Sequence, residues 1–127
     1  MNLNIVYLIG RLTRDVESRF LPSGKQVANI GLATDRVYNN KEGEKQQKAE
    51  FHNVVLFEPL ALTAIKYLKK GSLAMISGRI QTKEWTDASG IKKYRTEIIA
   101  NELQLGPKTE NDKKYDDGQG DVEIRPF

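Results

Sequence analysis

The sequence predicts an all-β domain with one short helix and a flexible tail. Three observations carry that prediction. Apolar residues in the first 105 positions fall in short runs rich in Val, Ile, Tyr and Phe, or alternate with polar residues. A single segment, beginning at Pro59, spaces its apolar side chains at helical intervals. After Gly106-Pro107 the periodicity stops: residues 107–120 hold one Tyr and no Val, Ile, Leu, Met or Phe. Such a stretch buries too little surface to offset the entropy of ordering it.

The elements follow in order. "NIVYLIGRL" (Asn4–Leu12) is a near-continuous apolar run, short for a helix, and reads as a strand buried on both sides. "LPSGK" (Leu21–Lys25) is turn chemistry, with Pro22 fixing φ and Gly24 free to adopt a positive φ. "VANIGLATDRVY" (Val27–Tyr38) alternates and puts Ala28, Ile30 and Leu32 on one face. A polar hairpin tip centred on Gly43 leads to "EFHNVVLF" (Glu50–Phe57), the third strand. "PLALTAIKYLKKG" then predicts a helix of about three turns. Pro59 suits its start, Lys69 and Lys70 its negative end, and Gly71 the position beyond it. "LAMISGRIQTKEW" (Leu73–Trp85) and "KYRTEIIANELQL" (Lys93–Leu105) are two further strands joined by a turn around Asp87, Ser89 and Gly90. Three strands, a helix and two strands form the element order of an OB-fold, a five-stranded, partly open barrel. The expected division is a folded domain over residues 1–106 and a tail over residues 107–127.

Composition narrows the function classes. The 127 residues make one domain with a modest core. No cysteine is present, so disulfides and thiolate metal sites are excluded, and a reducing compartment fits. No run of 18 apolar residues occurs, and the opening "MNLNIVYLIG" has neither a positive n-region nor a cleavage site. The expected location is cytoplasmic, with no membrane partner. Charge divides unevenly. Residues 107–127 hold four basic and six acidic side chains, whereas the other 106 residues hold 16 basic and 11 acidic ones. A body at +5 and a tail at −2 point to a polyanionic partner for the body and a different one for the tail.

Strand parity locates the candidate chemistry. Phe51 and Phe57 are six apart, so an unbulged strand puts both rings on one face with Asn53 and Val55 between them. Trp85 shares parity with Lys83, Gln81 and Arg79, and its immediate neighbours are all polar. Tyr38 follows Arg36 and precedes Asn39-Asn40. Aromatic rings are good strand formers that commonly pack in cores. Rings interleaved with cationic and amide side chains instead suit a groove that stacks bases and neutralises phosphates, at roughly 1–3 kcal/mol per stacked base. Enzymatic readings lack residues to carry them. His52 is the single histidine, no phosphate-binding Gly-rich motif is present, and Asp15 and Glu17 read as a solvated loop. Neither catalytic residue, metal, cofactor nor small-molecule substrate is expected.

These residues resemble a known family. "EFHNVVLF", "YLKKGS", "ISGRI" and "WTDASG", preceded by "GRLTRDVESRF" and "ANIGLATD", are similar to the landmark segments of bacterial-type single-stranded DNA-binding proteins. The resemblance covers residues 4 to about 105 together with the terminal Pro126-Phe127. It implies an OB-fold that assembles as a homotetramer and wraps single-stranded DNA. Stacking positions then fall on Tyr38, Phe51, Phe57 and Trp85. Arg79, Lys83, Lys93 and Arg95 would follow the phosphate backbone, joined by Arg11 and Arg14, and His52 matches a subunit-interface position. The acidic tip would dock replication and repair proteins through Asp121, Glu123, Ile124, Pro126 and Phe127, with the ring in an apolar pocket. Two departures stand out. Glu58-Pro59 replaces a common Gly-Lys, which removes a phosphate contact, and Arg125 adds a positive charge to an otherwise acidic tip. The competing readings are an OB-fold primosomal adaptor acting through protein contacts and a nucleolytic OB-fold enzyme.

Overall fold

The computed structural model describes residues 1–107. Seven elements follow one another: β1 (Val6–Leu12), β2 (Glu17–Phe20), β3 (Gln26–Asn39), β4 (Lys45–Phe57), α1 (Leu60–Tyr67), β5 (Leu73–Thr86) and β6 (Lys92–Leu105). The strands form one sheet in the order β1-β5-β6-β4-β3-β2. A further antiparallel pairing of β1 with β3, at Arg11↔Ala33 and Leu12↔Leu32, closes five of them into a barrel. The expected all-β, OB-type barrel with one helix is the observed architecture.

Closure depends on a close backbone approach. A side chain at Gly10 would run into the Ala33 carbonyl, so only glycine lets β1 lie against β3 there. The barrel is weakly joined at a second place, where β4 and β6 run parallel for the two pairs Val54↔Ile98 and Val55↔Ile99. Elsewhere the pairing is long. β3 and β4 stay in register from Val27↔Phe57 to Asn39↔Lys45, and β5 and β6 from Gly78↔Ala100 to Thr86↔Lys92.

The three hairpin loops share one design. Leu21, Asn40 and Asp87 each pair with the residue four positions on, and Gly24, Gly43 and Gly90 complete them at φ of 87°, 77° and 82°. Side-chain oxygens reinforce two of the loops. Asn40 Oδ1 accepts from the amides of Glu42 and Glu44, at 3.0 and 2.9 Å. Asp87 Oδ1 accepts from those of Ser89 and Ile91, both at 2.9 Å.

The interior is filled by one parity of each strand. Ala28, Ile30 and Leu32 from β3 meet Val54 and Leu56 from β4, Ala74 and Ile76 from β5, and Ile98 and Ala100 from β6. Helix α1 plugs the barrel with Ala61 and Ala64, and Leu68 just beyond it adds to the same core.

The structure corrects three expectations. β1 is buried on one face only: Tyr7 and Ile9 are exposed, because no layer among the described residues covers the outer side of this strand. The helix has eight residues rather than three turns, since Leu68 is already extended at φ −97°, ψ 143°. Gly71 therefore lies outside the helix cap, in a turn closed by the Ser72 amide to the Lys69 carbonyl at 3.0 Å. Finally, β2 is an additional strand. All four of its residues are exposed, so no apolar alternation announced it.

Leu56 is fully buried at the centre of this core. Leu56→Ala is expected to lower unfolding free energy by about 2–5 kcal/mol, read as a lower urea midpoint at unchanged slope.

Candidate nucleic-acid interface

The register fixes which side chains share the outer face of the sheet. Side chains directly opposite one another point the same way. Ala33 lies opposite Phe51, Gly31 opposite Asn53, and Val27 opposite Phe57. Val55 pairs with Ile99, and Ile99 with Arg79. From Arg79 the same face continues along β5 through Gln81, Lys83 and Trp85, and along β6 through Glu97, Arg95 and Lys93. Phe51, Phe57 and Trp85 thus lie on one continuous outer face with Arg79, Lys83, Lys93 and Arg95. A small buried cluster of Val27, Val55 and Ile99 forms its floor.

The rings are open to solvent. Phe51 is 72% exposed, Trp85 46% and Phe57 44%. Tyr38 is separated from these three. It lies opposite Gln46, five positions along β3 from Ala33, and therefore on the reverse face of the β3–β4 ribbon. There it is 38% exposed with the Arg36 guanidinium 5.2 Å from its ring centroid. That contact holds the ring by a cation–π attraction.

The cations on the face are differently engaged. Arg79 donates to Gln81 Oε1 at 3.2 Å. Lys93 Nζ is 4.0 Å from Asp87 Oδ2, and Lys83 Nζ is 3.3 Å from Glu97 Oε1. Arg95 Nε is 3.9 Å from Glu97 Oε2. Arg11 has the outward parity of β1 but donates to the Gly71 carbonyl at 3.0 Å. Arg14 reaches the face from the loop after β1. Its guanidinium and the Thr13 hydroxyl lie across Gly31, in the space that any larger residue would fill, and Arg14 Nε is 3.5 Å from Glu17 Oε1. Because Gly31 faces Asn53, Arg14 comes to lie beside the row that runs from Phe51 to Phe57.

Two residues take roles that the sequence reading did not assign. Glu58 turns its carboxylate back to accept the Gln26 amide at the start of β3. This chain thus uses that position to finish a strand. Glu97 was missed altogether, although its parity with Lys93 and Arg95 placed it on the cationic face. His52 points to the barrel side, half-buried, and its Nε2 shares a hydrogen bond with Thr34 Oγ1 at 2.9 Å. Asp121, Glu123, Ile124, Pro126 and Phe127 lie outside the described residues. Among the described residues, no group of three His, Cys, Asp or Glu side chains is placed to hold a metal ion. No helix among them is long and apolar enough to cross a membrane.

Comparison with known proteins agrees with this geometry. The model of the single-strand binding protein family matches residues 3–106. A single-stranded DNA-binding protein of Neisseria meningitidis serogroup A is 41% identical over 123 residues, covering 94% of this chain and 71% of the relative. Single-stranded DNA-binding protein 1 of Staphylococcus aureus is 44% identical over 115 residues, covering 90% of this chain and 72% of the relative. Among solved structures, a Plasmodium falciparum SSB in complex with ssDNA superimposes with a TM-score of 0.74 at 29% identity, over 83% of this chain and 94% of that one. These names describe binding and not catalysis, in line with the expectation of a non-enzymatic protein. With the family model spanning nearly all of the described barrel, this chain belongs to the single-strand binding protein family.

Proposed function

We propose that this protein binds single-stranded DNA with little sequence preference and protects it during replication, recombination and repair. The observation that carries the reading is the sharing of one outer face by three exposed rings and four cations: Phe51, Phe57 and Trp85 with Arg79, Lys83, Lys93 and Arg95. Flat rings stack on any base, which makes the contact sequence-tolerant, and the cations neutralise the phosphates between stacked bases. Arg14 adds a cation beside the Phe51–Phe57 row. Tyr38 joins as a fourth stacking position on the reverse of the β3–β4 ribbon, so a bound strand reaches it by passing over the ribbon edge.

The assembly we propose is a homotetramer acting in the cytoplasm, on the nucleoid in a bacterial cell. Supporting it, β1 pairs with β5 along Val6–Arg11 but with β3 only at Arg11 and Leu12. The backbone edge from Val6 to Gly10 therefore has no partner among the described strands, and exposed Tyr7 and Ile9 flank it. His52 is the proposed side-chain contributor to a subunit contact. The proposed docking of replication and repair proteins by Asp121, Glu123, Ile124, Pro126 and Phe127 rests on the family resemblance of those residues.

Four measurements test these readings. Oligo(dT) is expected to quench Trp85 fluorescence, and Trp85→Ala to weaken binding by about 1–3 kcal/mol; equal affinity of variant and parent at moderate salt would remove Trp85 from the site. Gly31→Ala is expected to push aside the Thr13 hydroxyl and the Arg14 guanidinium together and, through the loss of the Arg14 cation, to make the log–log salt dependence shallower by ~0.7, one phosphate fewer. Tyr38→Ala is expected to weaken a long oligo(dT) more than a short one, because a short strand satisfies the outer face without crossing the ribbon edge. Light scattering with and without oligo(dT) checks the subunit number.

A further inference from the structure

One side chain on the candidate face runs against its purpose. Glu97 is an acid among cations and is only 5% exposed. It lies opposite Gln81 and shares its face with Lys83 and Arg95, which lie opposite each other one pleat further along the ribbon. Oε1 is 3.3 Å from Lys83 Nζ and Oε2 is 3.9 Å from Arg95 Nε. Among the described residues no hydrogen bond reaches Oε1, and the atom is buried. A buried carboxylate stripped of both cations would be left uncompensated in a poorly solvated site. Lys83 and Arg95 are therefore tethered, even though their own side chains are 47% and 48% exposed.

The other ion pairs on this face differ. The acid facing Lys93 is Asp87, 27% exposed, and the one facing Arg14 is Glu17, 68% exposed. Water takes over those carboxylates at little cost, so their cations are free to turn to an incoming phosphate.

We infer that Glu97 is a built-in competitor of phosphate on the binding face. It holds the Lys83–Arg95 pair at a net charge of +1, so the pair neutralises one phosphate instead of two. The inference rests on the reading of this face as a surface for single-stranded DNA. It adds that the face is set below its attainable affinity by a residue that touches no DNA. A strand docked over a tethered pair leaves more readily than one docked over two free cations.

The test is titration of the full chain with oligo(dT), followed by Trp85 fluorescence over a tenfold range of NaCl. Glu97→Gln keeps the shape of the side chain and removes its charge. The variant is expected to bind more tightly, with a log–log salt slope steeper by ~0.7, one additional phosphate. An unchanged or shallower slope would overturn the inference. A second set of variants leaves Glu97 in place and substitutes half-exposed side chains, the double variant being read on protein whose circular dichroism matches the parent's. Lys83→Gln and Arg95→Gln are each expected to make the slope shallower by ~0.7, and the double variant no shallower than either alone. Two independent cations would instead lose ~1.4 together, which contradicts the tether. Absence of any titration by the parent protein would take down the underlying DNA reading and this inference with it.

Discussion

The close approach of β1 to β3 at Gly10 and Ala33 is the constraint on which the rest of the structure depends. It bends one sheet until its ends meet, and a bent sheet has two unlike faces. The inner face is sealed by Ile30, Leu32, Val54, Leu56 and Ile76, with Ala61 and Ala64 of α1 as its plug. The outer face then has to present the opposite parity of the same strands to water. Alternation along β3, β4, β5 and β6 puts Phe51, Phe57 and Trp85 there together with the cations. Core and proposed binding surface are thus two readings of one two-residue period.

The electrostatics of that surface are graded. Arg14 lies over a glycine and pairs with an exposed acid, Lys93 faces a partly exposed one, and Lys83 and Arg95 share a buried one. A count of lysines and arginines would treat all of these as equivalent. Burial of the counter-ion distinguishes them, because an exposed carboxylate has water as an alternative partner and a buried one does not. The same logic accounts for Glu58. By accepting from the Gln26 amide, the Glu58 carboxylate is held at the start of β3 and serves the strand instead of a phosphate.

Much of this was legible in the sequence because it follows from short-range rules. The alternation of Val27–Tyr38 marked the core side of β3, and the parity of Phe51 with Phe57 and of Trp85 with Lys83 marked the outer face. What escaped had no local signature. β2 has four exposed residues and exists because its neighbour β3 offers an edge. The exposure of Tyr7 and Ile9 follows from the lack of a layer over the outer face of β1 among the described residues, which no apolar run encodes. The placement of Tyr38 on the reverse of its ribbon needed the β3–β4 register. The seat of Arg14 needed Gly31 and a loop brought together from separate strands, and the tether at Glu97 needed its burial.

The central claim is that the strand is received first on the outer face of the closed sheet and reaches Tyr38 only by passing over the ribbon edge. Backbone amide chemical-shift mapping of the isotopically labelled protein on addition of oligo(dT) addresses it most directly. The account predicts shifts concentrated at Phe51, Asn53, Phe57, Gln81, Lys83, Trp85 and Arg95, with Tyr38 joining as the oligonucleotide lengthens. Shifts confined to Tyr7, Ile9 and the exposed side of α1, with the β4 and β5 outer residues unmoved, would contradict it.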